Sequence, residues 1–161
     1  MKTHHQASAD STHTHHYRKL LLMAVLSFIA MYILMYAMVN TFSNVFMNVN
    51  QFYMAGLMAS PMVIIELLVM SAMYLNKKWN AILIIISTGL LILFYILIRQ
   101  QTAVGDQQFL KSMIPHHAGA ILMCEEADIK DARILKLCEQ IRISQQEEID
   151  EMKVLLNDLK K

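Results

Sequence analysis

The residues of this chain best suited to chemistry are methionines, histidines and cysteines near its C-terminus. Met113, His116 and His117 are three and four residues apart, the spacing at which side chains on one helix are neighbours. Thioether sulfur is a soft, uncharged ligand that favours Cu(I), and imidazole binds both Cu(I) and Cu(II). This segment therefore predicts a copper site, with Cu(I) favoured.

The candidate copper ligands lie on two consecutive segments. They are Met113, His116, His117, Met123, Met152, Cys124 and Cys138. Gln145 and Glu148 are predicted to bond the free nitrogens of the imidazole rings rather than the metal. An alternative stays open, in which His116 and His117 only hydrogen-bond these two side chains within a polar core.

Cys124 and Cys138 lie on either side of a predicted turn, so antiparallel helices could bring them face to face. In an oxidising compartment a structural disulfide would then join the two helices. As free thiolates they would instead be a pair of soft metal ligands. The sequence leaves both interpretations open.

Two predicted helices, 106–127 and 132–159, carry these residues, and Asp131 is a good N-cap for the second. Pro115 interrupts the first, because it leaves the carbonyl of Lys111 without its usual N–H donor. The predicted inner face of the first helix comprises Phe109, Met113, His116, His117, Ala120, Met123, Cys124 and Ala127. That of the second comprises Ile134, Cys138, Ile141, Gln145, Glu148, Ile149, Met152, Leu156 and Leu159. One hairpin buries too little apolar area to be stable alone, so we expect a dimeric four-helix bundle or another protein partner.

The rest of the chain is predicted to cross a membrane three times. The full chain has 161 residues, of which 56% are apolar. Between Leu20 and Ile98 the only charged residues are Glu66, Lys77 and Lys78. The apolar runs 20–39, 52–75 and 81–98 are each long enough to span a hydrocarbon core of ~30 Å. The sequence therefore excludes a single soluble globule and predicts an all-α fold with three transmembrane helices.

Basic residues beside these runs predict the orientation in a bacterial inner membrane. Arg18 and Lys19 precede the first run, and Lys77 and Lys78 lie between the second and third, so both positions are expected in the cytoplasm. The hairpin of residues 105–161 is then extracytoplasmic, and residues 1–19 form a cytoplasmic tail. The tail histidines could bind copper or zinc loosely or belong to a solvated segment. A net charge of +1 gives no reason to expect nucleic acid as a partner.

A methionine stripe on the second run could form a metal path within the membrane. Its members are Met54, Met58, Met62, Glu66 and Met70. Such a ladder could pass Cu(I) in an oligomer. Glu66 adds to this interpretation, since an intramembrane carboxylate is a functional candidate by default. Methionine is also adaptable packing material, so ordinary helix packing is the simpler explanation of the stripe.

Residues 105–159 resemble the CopM-like family of bacterial domains. The resemblance rests on Met-x-x-His-His at 113–117 and Gln-x-x-Glu-Ile-x-x-Met at 145–152. It implies a ferritin-like helical bundle and extracytoplasmic copper binding through Met113, His116, His117, Met123 and Met152.

The expected function is therefore non-enzymatic copper homeostasis or resistance, with a copper chaperone or exporter as a possible partner. A di-iron oxidase would need Glu-x-x-His pairs, and neither His116 nor His117 follows a glutamate by three residues. The rival interpretation is a membrane assembly protein whose hairpin is purely structural.

Overall fold

The computed structural model describes residues 3–159, with side chains described from His15 onward. Within this range all regular secondary structure is helical and no strand occurs, as predicted. The five helices are α1 (Thr3–Leu34), α2 (Val49–Val69), α3 (Lys77–Arg99), α4 (Asp106–Glu126) and α5 (Ala132–Asp158). Two short 3-10 helices, Met35–Met38 and Phe42–Asn44, lie in the connection between α1 and α2.

Three helical segments are long and apolar enough to cross a membrane, namely His15–Met38, Val49–Val69 and Lys77–Arg99. The second helix ends at Val69 rather than at residue 75, because residues 70–73 form a turn in which Met73 N–H donates to the Met70 carbonyl. The third begins at Lys77, where the Asn76 side chain caps it. The backbone is already helical from Thr3, within the predicted tail, whereas the side chains of His4, His5 and His13 lie outside the described residues.

The N-terminal unit, Met1–Tyr32 with Phe52–Gln100, contains the three apolar helices except for their ends near the first connection. Leu20 of α1, Leu67 of α2 and Tyr74 after α2 form its buried cluster. Gly56 of α2 lies directly against the ring of Phe94 on α3, where a Cβ atom would overlap the ring. Small and large side chains therefore interlock between α2 and α3.

The C-terminal unit, Ile33–Gln51 with Gln101–Lys161, is built on the packing of α4 against α5. Its buried core consists of Leu110, Ile114, Ala118, Ile121, Ile149, Met152 and Leu156. Val39 and Phe46, from the connection between α1 and α2, pack against this core. The connection thus covers a face of α4. It buries apolar side chains of the hairpin that the sequence analysis expected a partner protein to cover.

The ends of α4 and α5 are fixed by polar contacts. The Asp131 carboxylate accepts the Arg133 N–H at 2.8 Å, which confirms the predicted N-cap. The neighbouring Arg133 guanidinium and N–H lower the pKa of Asp131. At the other end, the Gln107 side-chain amide donates to the Leu159 carbonyl at 2.9 Å. The first turn of α4 therefore meets the last turn of α5.

The predicted inner face of α4 is largely wrong. Phe109, His116 and Met123 are exposed, whereas Leu110, Ile114 and Ala118 are buried. These three follow one another at intervals of four, so one continuous aliphatic stripe faces α5 and the connection. On α5 the prediction is correct for Ile149, Met152 and Leu156, but Ile134, Glu148 and Leu159 are exposed.

Candidate metal centre

His117 is the most constrained of the candidate ligands. It lies on the buried side of α4 with 6% of its surface exposed. Its Nδ1 atom is 2.9 Å from the Met113 carbonyl oxygen, and its Nε2 atom is 2.6 Å from Glu148 Oε2 on α5. Glu148, by contrast, is half exposed. One imidazole therefore bonds its own helix and the neighbouring helix at once.

Both ring nitrogens of His117 are occupied by these contacts. Nδ1 faces a carbonyl oxygen, which can only accept a hydrogen bond, and Nε2 faces a carboxylate oxygen. A metal could bind His117 only after breaking one of these two contacts.

His116 is the accessible histidine. Its ring lies 5.9 Å from that of His117 in an edge-to-face arrangement, but its side chain is exposed. Met123, 54% exposed, lies two helical turns further along the same side of α4. Met113 is half-buried at the edge of the core, one turn before His116. The outward face of α4 therefore presents one open imidazole and the Met123 thioether, with the Met113 thioether at its edge.

The two remaining candidates in this region, Met152 and Gln145, differ in how deeply they are buried. Met152 is 9% exposed and belongs to the aliphatic core. Gln145 is half-buried, and the ring nitrogens of His117 are fully used without it. The structure thus places Met152 and His117 inward but His116 and Met123 outward, instead of bringing all of them around one point.

Cys124 and Cys138 face each other across α4 and α5 as free, half-buried thiols. The hydrogen bond with Cys138, reinforced by desolvation, raises the pKa of Cys124 to about 11. At neutral pH the Cys124 thiol is therefore protonated and weakly reactive. The pair meets at the predicted place, without a disulfide in this state.

The carbonyl left without a donor by Pro115 has a partner that the sequence analysis missed. Asn48, 5% exposed, directs its side-chain amide to the Lys111 carbonyl at 3.4 Å. The Asn48 side-chain oxygen accepts the Gln51 N–H at 2.9 Å and so caps the start of α2. The available signal was four asparagines in the uncharged connection, at positions 40, 44, 48 and 50.

The methionine stripe of α2 is shorter than predicted. Met54 and Met58 are exposed and Met62 is half-buried, whereas Met70 lies in the turn after the helix. Glu66 accepts a hydrogen bond from the Tyr74 hydroxyl at 3.4 Å, one turn before α2 ends. The carboxylate therefore lies near one end of the helix rather than midway along a metal path.

No cluster of three or more histidine, cysteine, aspartate or glutamate side chains that could hold a metal occurs among the residues described. Among these residues, a site built from such atoms alone is thus not preformed. The candidate centre instead combines the exposed His116 with thioether sulfur, which makes it open and incomplete.

Comparison with known proteins identifies the C-terminal region. Residues 97–158 match the family model described as a domain of unknown function, DUF305. An uncharacterized protein of Acanthamoeba polyphaga mimivirus is 37% identical over 145 residues, covering 88% of this chain and 93% of the viral protein. No solved structure matches the chain significantly. The similarity extends far beyond the α4–α5 region, so the chain belongs to the same family as the viral protein and carries DUF305 at its C-terminal end.

Proposed function

We propose that this chain is a membrane-anchored, extracytoplasmic protein for copper homeostasis or resistance, binding Cu(I) through methionine and histidine without catalysing a reaction. The observation that carries the proposal is the exposed His116, which lies on the same outward face of α4 as Met123. Thioether and imidazole together suit Cu(I) better than zinc or magnesium. The resemblance of residues 105–159 to CopM-like proteins supports the same ligand chemistry.

Within one chain, Met113 and His116 form the ligand pair best placed to share an ion, because they are one turn apart. Met123 lies about 10 Å beyond His116 along the helix axis. It is therefore better placed to complete a site on a second copy. The Cys124–Cys138 pair is a separate soft site, and His117 serves mainly to hold α5 in place through Glu148.

Self-association would complete both the ligand set and the core. Large apolar side chains remain exposed on the two helices: Phe109, Ile134, Leu137, Leu155 and Leu159. Closed two-fold pairing would cover them and bring two His116 faces together in a four-helix bundle. These exposed apolar side chains also favour the second candidate function, a membrane assembly module in which the histidines are structural.

Placement outside the cytoplasm is supported by two observations. The basic residues Arg18, Lys19, Lys77 and Lys78 favour the cytoplasm for the ends of the apolar helices where they lie. The other ends, one of which leads into the hairpin, are then on the far side. The connection 33–51 packs against α4, so the two must share one side of a bilayer. Three spans satisfy this requirement, because they return the chain after α3 to the side that the first connection occupies.

The test is an anaerobic Cu(I) titration of the full chain in detergent against a chelator that competes for Cu(I). The tail histidines are first replaced by glutamine, and Cys124 and Cys138 by serine, so that neither group can contribute. His116→Ala and Met113→Leu should each lower the affinity by more than about tenfold. Met73→Leu, which removes a thioether after α2, is the matched control and should leave the affinity unchanged.

Retention of full Cu(I) affinity in the His116→Ala/His117→Ala double variant would reject the copper proposal and favour the assembly module. Met152→Leu should preserve binding, because this thioether is buried in the core and the substitution nearly conserves volume.

A further inference from the structure

A cavity of about 1010 Å³ opens in the side of the N-terminal unit. Its inner wall is mainly aliphatic: Leu20, Leu21 and Ala24 come from α1, and Leu83 and Leu90 come from α3. The cavity therefore offers a trough that runs along helices apolar enough to lie in a bilayer.

The mouth of the cavity is polar and basic. Asn76, Lys77, Lys78 and Trp79 line it. The Asn76 side-chain oxygen accepts the N–H groups of Lys78 and Trp79, each at 3.2 Å, which fixes the first turn of α3. Both lysine side chains are exposed, and Trp79 is 55% exposed.

A chain of hydrogen bonds holds α1 at this mouth. The Tyr17 hydroxyl donates to the Asn80 side-chain oxygen at 2.6 Å. The Asn80 side-chain nitrogen donates to the Tyr74 carbonyl at 2.7 Å. These hydrogen bonds therefore join α1, which supplies part of the aliphatic wall, to the basic mouth.

The described charges at this end are predominantly positive, with Glu66, bonded to Tyr74, as the opposing carboxylate. Arg18 and Lys19, next to Tyr17, add two cations to Lys77 and Lys78, and none of the four forms a salt bridge within the described range. The N-terminus of α3 contributes a further partial positive charge. A symmetric second copy would bring like charges together here, whereas an anionic amphiphile would neutralise them.

We propose that this cavity binds an anionic phospholipid, with the phosphate beside Lys77 and Lys78 and an acyl chain along the aliphatic wall. Basic pockets between membrane helices commonly take such headgroups, and tryptophan favours the interface where they lie. The proposal rests on the membrane insertion included in the proposed function and is independent of copper binding.

Trp79 is the only tryptophan in the chain, so its fluorescence reports on this site alone. The full chain is placed in phosphatidylcholine nanodiscs doped with either brominated phosphatidylglycerol or brominated phosphatidylcholine, whose bromines quench tryptophan on contact. At equal doping, the anionic lipid should quench Trp79 with an apparent preference of about tenfold, and added salt should reduce this preference.

Three variants separate charge from shape. Lys77→Gln/Lys78→Gln should abolish the preference for phosphatidylglycerol, whereas Arg99→Gln, at the other end of α3, should preserve it. Ala24→Phe, which projects into the trough, should reduce quenching by both brominated lipids.

Equal quenching by the two lipids in the unmodified chain, or a preference that survives the double lysine substitution, would overturn the proposal. If neither lipid quenched Trp79, the proposal would be overturned too, because a protein surface would then cover the cavity. Copper affinity measured in the same nanodiscs distinguishes failure of this proposal from failure of the proposed function.

Discussion

His116 and His117 are adjacent in the sequence but differ in burial on α4. His117 is buried, with both ring nitrogens engaged by the Met113 carbonyl and Glu148. His116 is exposed beside half-buried Met113 and on the same side as Met123. One His-His motif can therefore supply both a structural contact and an open ligand, according to which side of a helix packs.

The strongest test of this comparison removes apolar volume from each face. Ile114→Ala should destabilise the α4–α5 pair by about 3 kcal/mol, because Ile114 is fully buried and truncation leaves a cavity. Phe109→Ala, on the exposed face, should cost about 0.5 kcal/mol or less. Hydrogen–deuterium exchange of peptides from α4 and α5 in the full chain measures both. Equal losses would mean that a second copy covers Phe109.

The two histidines provide the next test. His117→Ala should cost about 2 kcal/mol, because it leaves the Glu148 carboxylate without its partner and removes a bond to the Met113 carbonyl. His116→Ala should alter exchange by no more than about 0.5 kcal/mol. Glu148→Gln retains a hydrogen-bonding side chain and should lie between these values. A larger effect from His116 than from His117 would contradict the assignment of the faces.

The cysteine pair gives the smallest expected effect. The raised pKa of Cys124, about 11, means that little thiolate exists at neutral pH, so alkylation by iodoacetamide should be slow. Cys138→Ala removes the hydrogen bond that is the main cause and should accelerate Cys124 alkylation about tenfold at pH 7.5. Intact-mass spectrometry follows the reaction. Alkylation that requires prior reduction would instead demonstrate a disulfide.

Composition and helical periodicity were sufficient for the helices, because long apolar runs and the Asp131 cap are local signals. The α4 and α5 boundaries agree with those predicted from the sequence to within one residue. The face of α4 was not predictable by the same means. Met113 and His116 were predicted on the inner face because of their ligand chemistry. The buried residues are instead those of the aliphatic stripe, such as Leu110 and Ile114, which packs against α5 and the connection.

The asparagine contact also depends on information that local patterns lack. Asn48 meets the Lys111 carbonyl across 63 positions in sequence, and only the fold brings the two together. The orphaned carbonyl itself followed directly from the presence of Pro115. Identifying its donor required knowledge of which segment covers α4, and no spacing rule supplies that.

That long separation has a consequence for biosynthesis. The connection 33–51 is synthesised before α2 and α3, whereas its partner α4 comes later. Until α4 arrives, Val39 and Phe46 lack their apolar cover, and the Asn48 amide must bond water instead of Lys111. Contacts that span so much chain form slowly, because loop closure costs entropy before any contact is gained. The C-terminal unit therefore closes last, and a chain interrupted after α3 would expose the first connection to proteases.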